Sequence, residues 1–353
     1  MAMLPLEHAV KKALVDDIGL KPDASFLVAV SGGADSVSLL IILAALRPAI
    51  NCTLMAAYID HGLRPAETPA EWSLVRSLAD KLGIPSQKVS VDVATYVSSN
   101  HLSIEHAARI LRYNALHSLA NEHNLEWIAV AHTADDQAEE ILLRLMRGGG
   151  RKALAGMRMQ SGKILRPLLN LTKEQLLSYL HDKEIQFCHD SSNDDLRFLR
   201  NRIRLHLLPI LKKDYDPGIR GALLKTAANL REDEDLMADF TEKAWRMTVV
   251  PPEGDTADTS QNQIWHLKKH AFLQLHPALQ RRLMERLLYT LQGQASYEQV
   301  LALVKLASHG QTGHELHLQK GLRAVVEKEQ ICFLYPWGKT ANRRSFKHGT
   351  TKS

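Results

Sequence analysis

The sequence predicts an α/β fold, with a parallel sheet in the first half of the chain and a mostly helical region with a small β element after it. Short β-branched runs alternate with helical patterns over the first half, the signature of βαβ units. A glycine pair stands between an apolar run and an apolar helical stretch, as in a loop that joins a strand to a helix. Beyond about Thr172 the apolar period becomes that of helices. At 353 residues the chain exceeds one typical domain and suggests two, each able to bury a core.

The expected strands are 26–30, 53–60, 87–91 and 127–131, with a fifth around 163–166. The helices between them are expected at 35–46, 69–82, 103–123 and 135–146. Ligands of such sheets bind outside the carboxyl ends of the strands. Three of those ends run into Ser31-Gly32-Gly33-Ala34-Asp35-Ser36, into Asp60-His61-Gly62-Leu63-Arg64, and into His132-Thr133-Ala134-Asp135-Asp136. Helical patterns follow at 197–211, 218–247, 277–291 and 296–308, interrupted by a turn-rich connector at 250–260. Alternating residues at 315–319 and 324–335 suggest the small β element, and the polar, basic tail reads as disordered. The expected domains are therefore 1–215 and 216–337, with the tail at 338–353.

Composition narrows the class. A hydrophobic fraction of 45% with 24% charged residues is that of an ordinary globular protein. A net charge of +5 and an isoelectric point near 9.0 permit a polyanionic partner. Cys52, Cys188 and Cys332 are far apart, which argues against a disulfide framework and a zinc or iron–sulfur site. The first residues contain acids and lack an apolar core, and no apolar run reaches membrane-spanning length, so a cytoplasmic chain without membrane contact is expected.

The Ser31–Ser36 loop carries the strongest chemical signal. Gly32 and Gly33 let the backbone approach an anion closely, so that successive N–H groups and the start of the following helix grip it. The loop lacks lysine and does not fit the P-loop that hands on a γ-phosphate. In Asp135-Asp136-Gln137-Ala138-Glu139-Glu140 the i,i+4 pairs Asp135/Glu139 and Asp136/Glu140 gather carboxylates on the first helical turns. Such acids attract Mg²⁺ or an ammonium group, and they also complement the helix dipole. Glu105, Arg109 and Arg112 share one face of the helix that Ser103 caps. His61 and His132 both follow strands, but no third metal ligand stands at suitable spacing. Arg197, Arg200, Arg202 and Arg204 form one cationic cluster, and Arg144, Arg147, Arg151 and Lys152 another. Both suit nucleic-acid phosphates, and both also suit a solvated helix face.

The Ser31 loop resembles the SGGxDS loop of the N-type ATP pyrophosphatases, which adenylate an oxygen on a substrate. In order and spacing the strings VAVSGGADS, YIDHGLRP, SIEHAARILRYNAL, AHTADDQAEEILLRLMRGGG, ILRPLLNLTKEQLLSYL and SSNDDLRFLRNRIRLHLLPIL are similar to those of the tRNA(Ile)-lysidine synthetases, a PP-loop family. The likeness covers about 26–211, and 280–335 is similar, less sharply, to that family's first C-terminal domain.

The resemblance implies a two-step ligase. ATP adenylates the 2-oxo group of the wobble cytidine in isoleucine tRNA with a CAU anticodon, and the side-chain amine of free L-lysine then expels AMP. It implies that Ser31, Gly32, Gly33, Ala34, Asp35 and Ser36 hold ATP, and that Asp35 and Asp136 lie at Mg²⁺ or the lysine ammonium. Asp136, Glu139 and Glu140 are implied in lysine recognition, Arg109 and Arg112 in neutralising the polyphosphate, and Arg200, Arg202 and Arg204 in contacts to tRNA. A homodimer is compatible with this reading. Glu140 stands where a threonine is common, and His189 precedes Asp190 where an acid is common, so the division of labour between Glu139 and Glu140 stays open. Two rivals remain, a tRNA thiolase on the same fold and a nucleotide- or tRNA-binding protein without catalysis.

Overall fold

The computed structural model describes residues 3–188, 194–252, 264–292 and 294–334. His189 and Asp190, most of the 250–260 connector and the 338–353 tail lie outside the described residues. The chain divides into two compact units, 1–231 and 232–353. The division falls inside the long helix Ile219–Thr248, where the sequence reading sets it at 215.

The first unit opens with α1 (Pro5–Lys12), which runs into a wider turn at Ala13–Asp17. Then come β1 (Ser25–Ala29), α2 (Ala34–Ile50), β2 (Thr53–Asp60), α3 (Thr68–Lys81), β3 (Ser86–Ser90) and α4 (Val93–Asn100). They are followed by α5 (Ile104–Glu122), β4 (Trp127–Ala129), α6 (Ala134–Met146), α7 (Arg151–Leu154), β5 (Gln160–Ser161), β6 (Ile164–Leu165) and α8 (Lys173–Asp182). A helical segment of short α and π stretches covers α9 (Leu199–Arg202), Ile203–Leu207, α10 (Leu208–Ile210) and Leu211–Tyr215, and α11 (Ile219–Thr248) comes next. Strand order is β3-β2-β1-β4-β6-β5, with every pair parallel except β5–β6.

The sheet is buried on both faces, which is why β1 and β2 read as continuous apolar runs. Alternate residues serve opposite cores. Phe26 and Val28 pack with Leu39, Leu40 and Leu43 of α2 and with Leu176 and Leu180 of α8. Leu27 and Ala29 pack with Leu116 and Leu119 of α5. β1 is thus central, and the loop that leaves it opens at the middle of the carboxyl edge.

In the second unit β7 (Val249–Val250), β8 (Ile264–Lys268), β9 (Glu315–His317), β10 (Arg323–Val326) and β11 (Gln330–Leu334) form an antiparallel sheet of order β7-β8-β11-β10-β9. It buries Leu267, Ile331 and Phe333 with Phe272 of α12 (Lys269–Leu273), Leu283 and Leu287 of α13 (Pro277–Gln292) and Leu303 of α14 (Tyr297–His309). The small β element is therefore larger than the sequence suggests, because β8 lies before the helices that separate it from its partner β11.

Candidate active site at the carboxyl edge of the sheet

Gly32 has φ +90°, a conformation that favours glycine, and Gly33 follows in extended backbone as the N-cap of α2. No side chain caps α2, which leaves its first amides available to an anion. Ser36 closes the loop on itself. Its hydroxyl accepts the Ser31 N–H at 3.1 Å and donates to the Gly33 carbonyl at 3.0 Å. The Cys188 N–H also donates to the Gly32 carbonyl at 2.8 Å, so a cysteine distant in sequence lies against the loop. Burial pushes its thiol up, with Glu71 adding to the effect, so the thiol is no activated nucleophile.

Asp35, on the first turn of α2, has a buried Oδ1 with no hydrogen-bond partner. Burial raises its carboxyl to about 6, and Asp136 and Asp135 push the same way while Lys173 and Arg204 oppose. An unsatisfied carboxylate oxygen beside a phosphate-type loop fits a cation or an ammonium group.

The acids of α6 divide their work differently from the i,i+4 expectation. Thr133 caps the helix reciprocally: Asp136 Oδ2 accepts the Thr133 N–H at 2.9 Å while Thr133 Oγ1 accepts the Asp136 N–H at 3.3 Å. Asp136 Oδ1 takes Arg200 at 3.0 Å. Burial would raise the Asp136 carboxyl, but Arg200 beside it holds it below the usual range. Glu139 is 1% exposed and accepts Arg200 Nε at 2.9 Å and Arg204 Nε at 2.6 Å. Glu140 instead pairs along its own helix with Arg144 at 2.6 Å. Asp135 ties α6 to its neighbours, accepting Arg220 Nη1 at 2.7 Å and the Lys173 N–H at 2.8 Å.

Asp136 and Glu139, three residues apart, therefore form the inward pair, and Glu140 stands outside it. The cationic face expected of Arg200, Arg202 and Arg204 is divided as well: Arg200 and Arg204 are engaged by carboxylates, and Arg202 is exposed.

Arg109 is exposed and lies over the Tyr113 ring at 5.1 Å, and Arg112 is half-buried. His132, just beyond β4, is pushed down to about 3 by burial, with Asp136 opposing and the cations Arg112, Arg166 and Arg109 adding to it. It is neutral at physiological pH. Arg166, just beyond β6, is 7% exposed and donates to the Arg158 carbonyl at 2.9 Å. Sequence reading did not single out Arg166, Lys173 or Arg220. The signal for Arg166 was its place directly after a strand, at the edge where ligands collect. At the ends of β2 and β3 a cavity of about 330 Å³ is lined by His61, Gly62, Leu63 and residues 90–94. Asp60, the last residue of β2, accepts the Gly62 N–H and Lys88, each at 2.9 Å. Among the described residues no group of three or more His, Cys, Asp or Glu is arranged to hold a metal.

Residues 4–211 match the PP-loop domain family. A curated tRNA(Ile)-lysidine synthase of Geobacter sulfurreducens is 32% identical over 337 residues, covering 93% of this chain and 69% of that protein. The namesake from Porphyromonas gingivalis is 41% identical over 209 residues, 59% of this chain and 45% of its own length. The chain thus spans between about half and two thirds of the length of these relatives. Among solved structures, the U34-tRNA thiolase NcsA from Methanococcus maripaludis superimposes with a TM-score of 0.55 at 18% identity, over 64% of this chain and 78% of that one, which establishes a shared fold. With the PP-loop match spanning the unit that carries this site, and with identity to a lysidine synthase running along nearly the whole chain, the protein belongs to the PP-loop tRNA(Ile)-lysidine synthase family.

Proposed function

We propose that this protein joins free L-lysine to carbon 2 of the wobble cytidine of a CAU-anticodon isoleucine tRNA, with ATP cleaved to AMP and pyrophosphate. The observation that carries the reading is the pairing of an uncapped, glycine-turned loop with the unsatisfied Asp35 carboxylate on its first helical turn, beside the inward acids Asp136 and Glu139. In the first step the Ser31–Ser36 loop holds the polyphosphate while the cytidine 2-oxo oxygen attacks the α-phosphorus and pyrophosphate departs. In the second the lysine side-chain amine attacks carbon 2 and AMP leaves, a far better leaving group than the original oxygen. Holding donor and acceptor together removes most of the entropic cost of their meeting.

Asp35, with Asp136 near it, is the place where Mg²⁺ would sit, and bound there the ion would screen charge on the nucleotide phosphates. Asp136 and Glu139 suit the ammonium of lysine. Arg109 and Arg112 suit charge that develops on the departing phosphates. The cavity beside His61 has room for a nucleotide base. Residues 1–215 would be the catalytic domain and 216–337 a linker and tRNA-docking region, in a cytoplasmic protein compatible with a homodimer. No helix among the described residues is long and apolar enough to cross a membrane.

The direct test is incubation with ATP, radiolabelled lysine and total tRNA, followed by digestion to nucleosides. Label in a lysine–cytidine nucleoside is expected, and its absence overturns the reading. A tRNA-binding protein without catalysis would release no pyrophosphate in the same mixture.

A protein with Cys52, Cys188 and Cys332 all replaced by serine or alanine is expected to keep most of its lysine transfer. Adenylation followed by amine attack needs no thiolate, and burial pushes all three thiols up. Any loss should follow the melting temperature, since Cys52 and Cys332 are buried. Dependence on one cysteine in a protein that still folds would favour a thiolase.

A further inference from the structure

Arg166 is a buried charged side chain at the sheet edge for which the proposed reaction has no task. Its exposure is 7%, its Nε is buried without a hydrogen-bond partner, its Nη1 donates to the Arg158 carbonyl at 2.9 Å, and the Tyr113 hydroxyl lies against the guanidinium. Neither Arg109, Arg112 nor Arg166 makes an ion pair with a described residue. Burying a cation without a counter-charge is costly, so a protein keeps one where a ligand completes it. One more unsatisfied polar atom belongs to the same cluster, His132 Nδ1. The cluster is built on the sheet itself. β4 and β6 are adjacent and parallel, with the Val130 N–H bonded to the Leu165 carbonyl at 2.9 Å, so His132 and Arg166 leave neighbouring strands at one edge.

We propose that Arg166 is the subsite for the α-carboxylate of the amino-acid substrate. This rests on the ligase reading given above. The polyphosphate already has its cradle at the end of β1, and β4 separates β1 from β6, so the two anion sites stand about 10 Å apart across the sheet. A buried guanidinium admits a small planar carboxylate in bidentate fashion, whereas a ribose-flanked phosphodiester is served by exposed cations such as Arg109. Asp136 and Arg166 both act on His132, which leaves the strand next to that of Arg166. Cation and acid together match the two charges of an amino-acid head group. Held by both, the substrate presents its side-chain amine for attack.

The test compares L-lysine with L-lysinamide, which keeps both amines and lacks the carboxylate, in the wild type, Arg166→Gln and Arg166→Lys. In Arg166→Gln the ratio of kcat/KM for lysine to that for lysinamide is expected to fall about tenfold to a hundredfold, the worth of one charge-assisted bond pair. Arg166→Lys should recover part of it. The ligand-free melting temperature of Arg166→Gln should hold or rise, since an uncompensated cation has been removed; a purely structural arginine would lower it and leave the ratio alone. An unchanged ratio overturns the proposal, and equal losses on both amines would place the anion on the RNA instead. Should the wild type form no lysine adduct with tRNA, the ligase reading fails separately. The subsite is then judged by binding alone: L-lysine must raise the wild-type melting temperature more than L-lysinamide does, and the absence of that difference overturns it.

Discussion

Asp35→Asn is expected to abolish lysine transfer, by about a thousandfold or more, while making the ligand-free protein more stable at pH 8. Both effects come from one atom. Asp35 Oδ1 is buried without a partner, which suits it to meet a cation and penalises the empty site. The substitution keeps the shape and removes the charge, so about 1–3 kcal/mol of unmet solvation is recovered at neutral pH.

The pH dependence has a fixed sign. In the folded chain the carboxyl holds its proton up to about 6, against 3.8 for an ordinary aspartate. Between those values the folded state binds more protons than the unfolded one, so wild-type stability falls as pH rises through that window and is level above it. The advantage of Asp35→Asn should therefore be absent near pH 4, open between about 4 and 6, and stay constant to pH 8. Melting temperatures of the two proteins across that range check it, with the nucleoside assay alongside. Full activity in Asp35→Asn removes the residue from the site, and an equal melting temperature at pH 8 means its carboxylate has a partner after all.

The frame of the first unit was legible in the sequence because its signals are local. β1 and β2 are apolar throughout since both faces are covered, and the glycine turn stands directly between β1 and α2. α4 was harder to read, because Ser98, Ser99 and Asn100 are weak helix formers and the segment depends on its Asp92 cap, which accepts the Thr95 N–H at 3.0 Å. The partners of the α6 acids were not legible at all. Helical spacing places Asp135 with Glu139, yet what separates their roles is which distant guanidinium arrives: Arg220 for Asp135, Arg200 and Arg204 for Glu139. The same holds for Cys188, which meets Gly32 only when the chain after α8 returns to the loop. A one-residue motif records that a charge is present, and only the tertiary approach decides what neutralises it.

That dependence makes Glu139 the most sensitive structural position of the site. It is 1% exposed and receives bonds from both Arg200 and Arg204, at 2.6 to 3.1 Å. Glu139→Gln keeps the volume and takes this acid from both guanidiniums, which keep contacts to Asp136 at 3.0 and 3.6 Å and, for Arg200, to Glu140 at 3.8 Å. Removing one member of a buried ionic group costs about 3–5 kcal/mol, because the survivors stay desolvated with less opposite charge to meet. The segment that carries the arginines would then be held to α6 by its contacts to Asp136 and by Ile203 against Leu142 and Leu143. The double variant Glu139→Gln, Arg204→Gln removes a charge of each sign and should recover part of the loss, giving a coupling energy of about 0.5–3 kcal/mol in urea unfolding. Additive losses would show that Glu139 and Arg204 do not share one network. Lysine transfer supplies the second reading: if Glu139 holds the substrate ammonium as well as the arginines, the double variant regains stability without regaining activity. Recovery of both together would assign Glu139 to the fold and leave Asp136 as the acid that meets lysine.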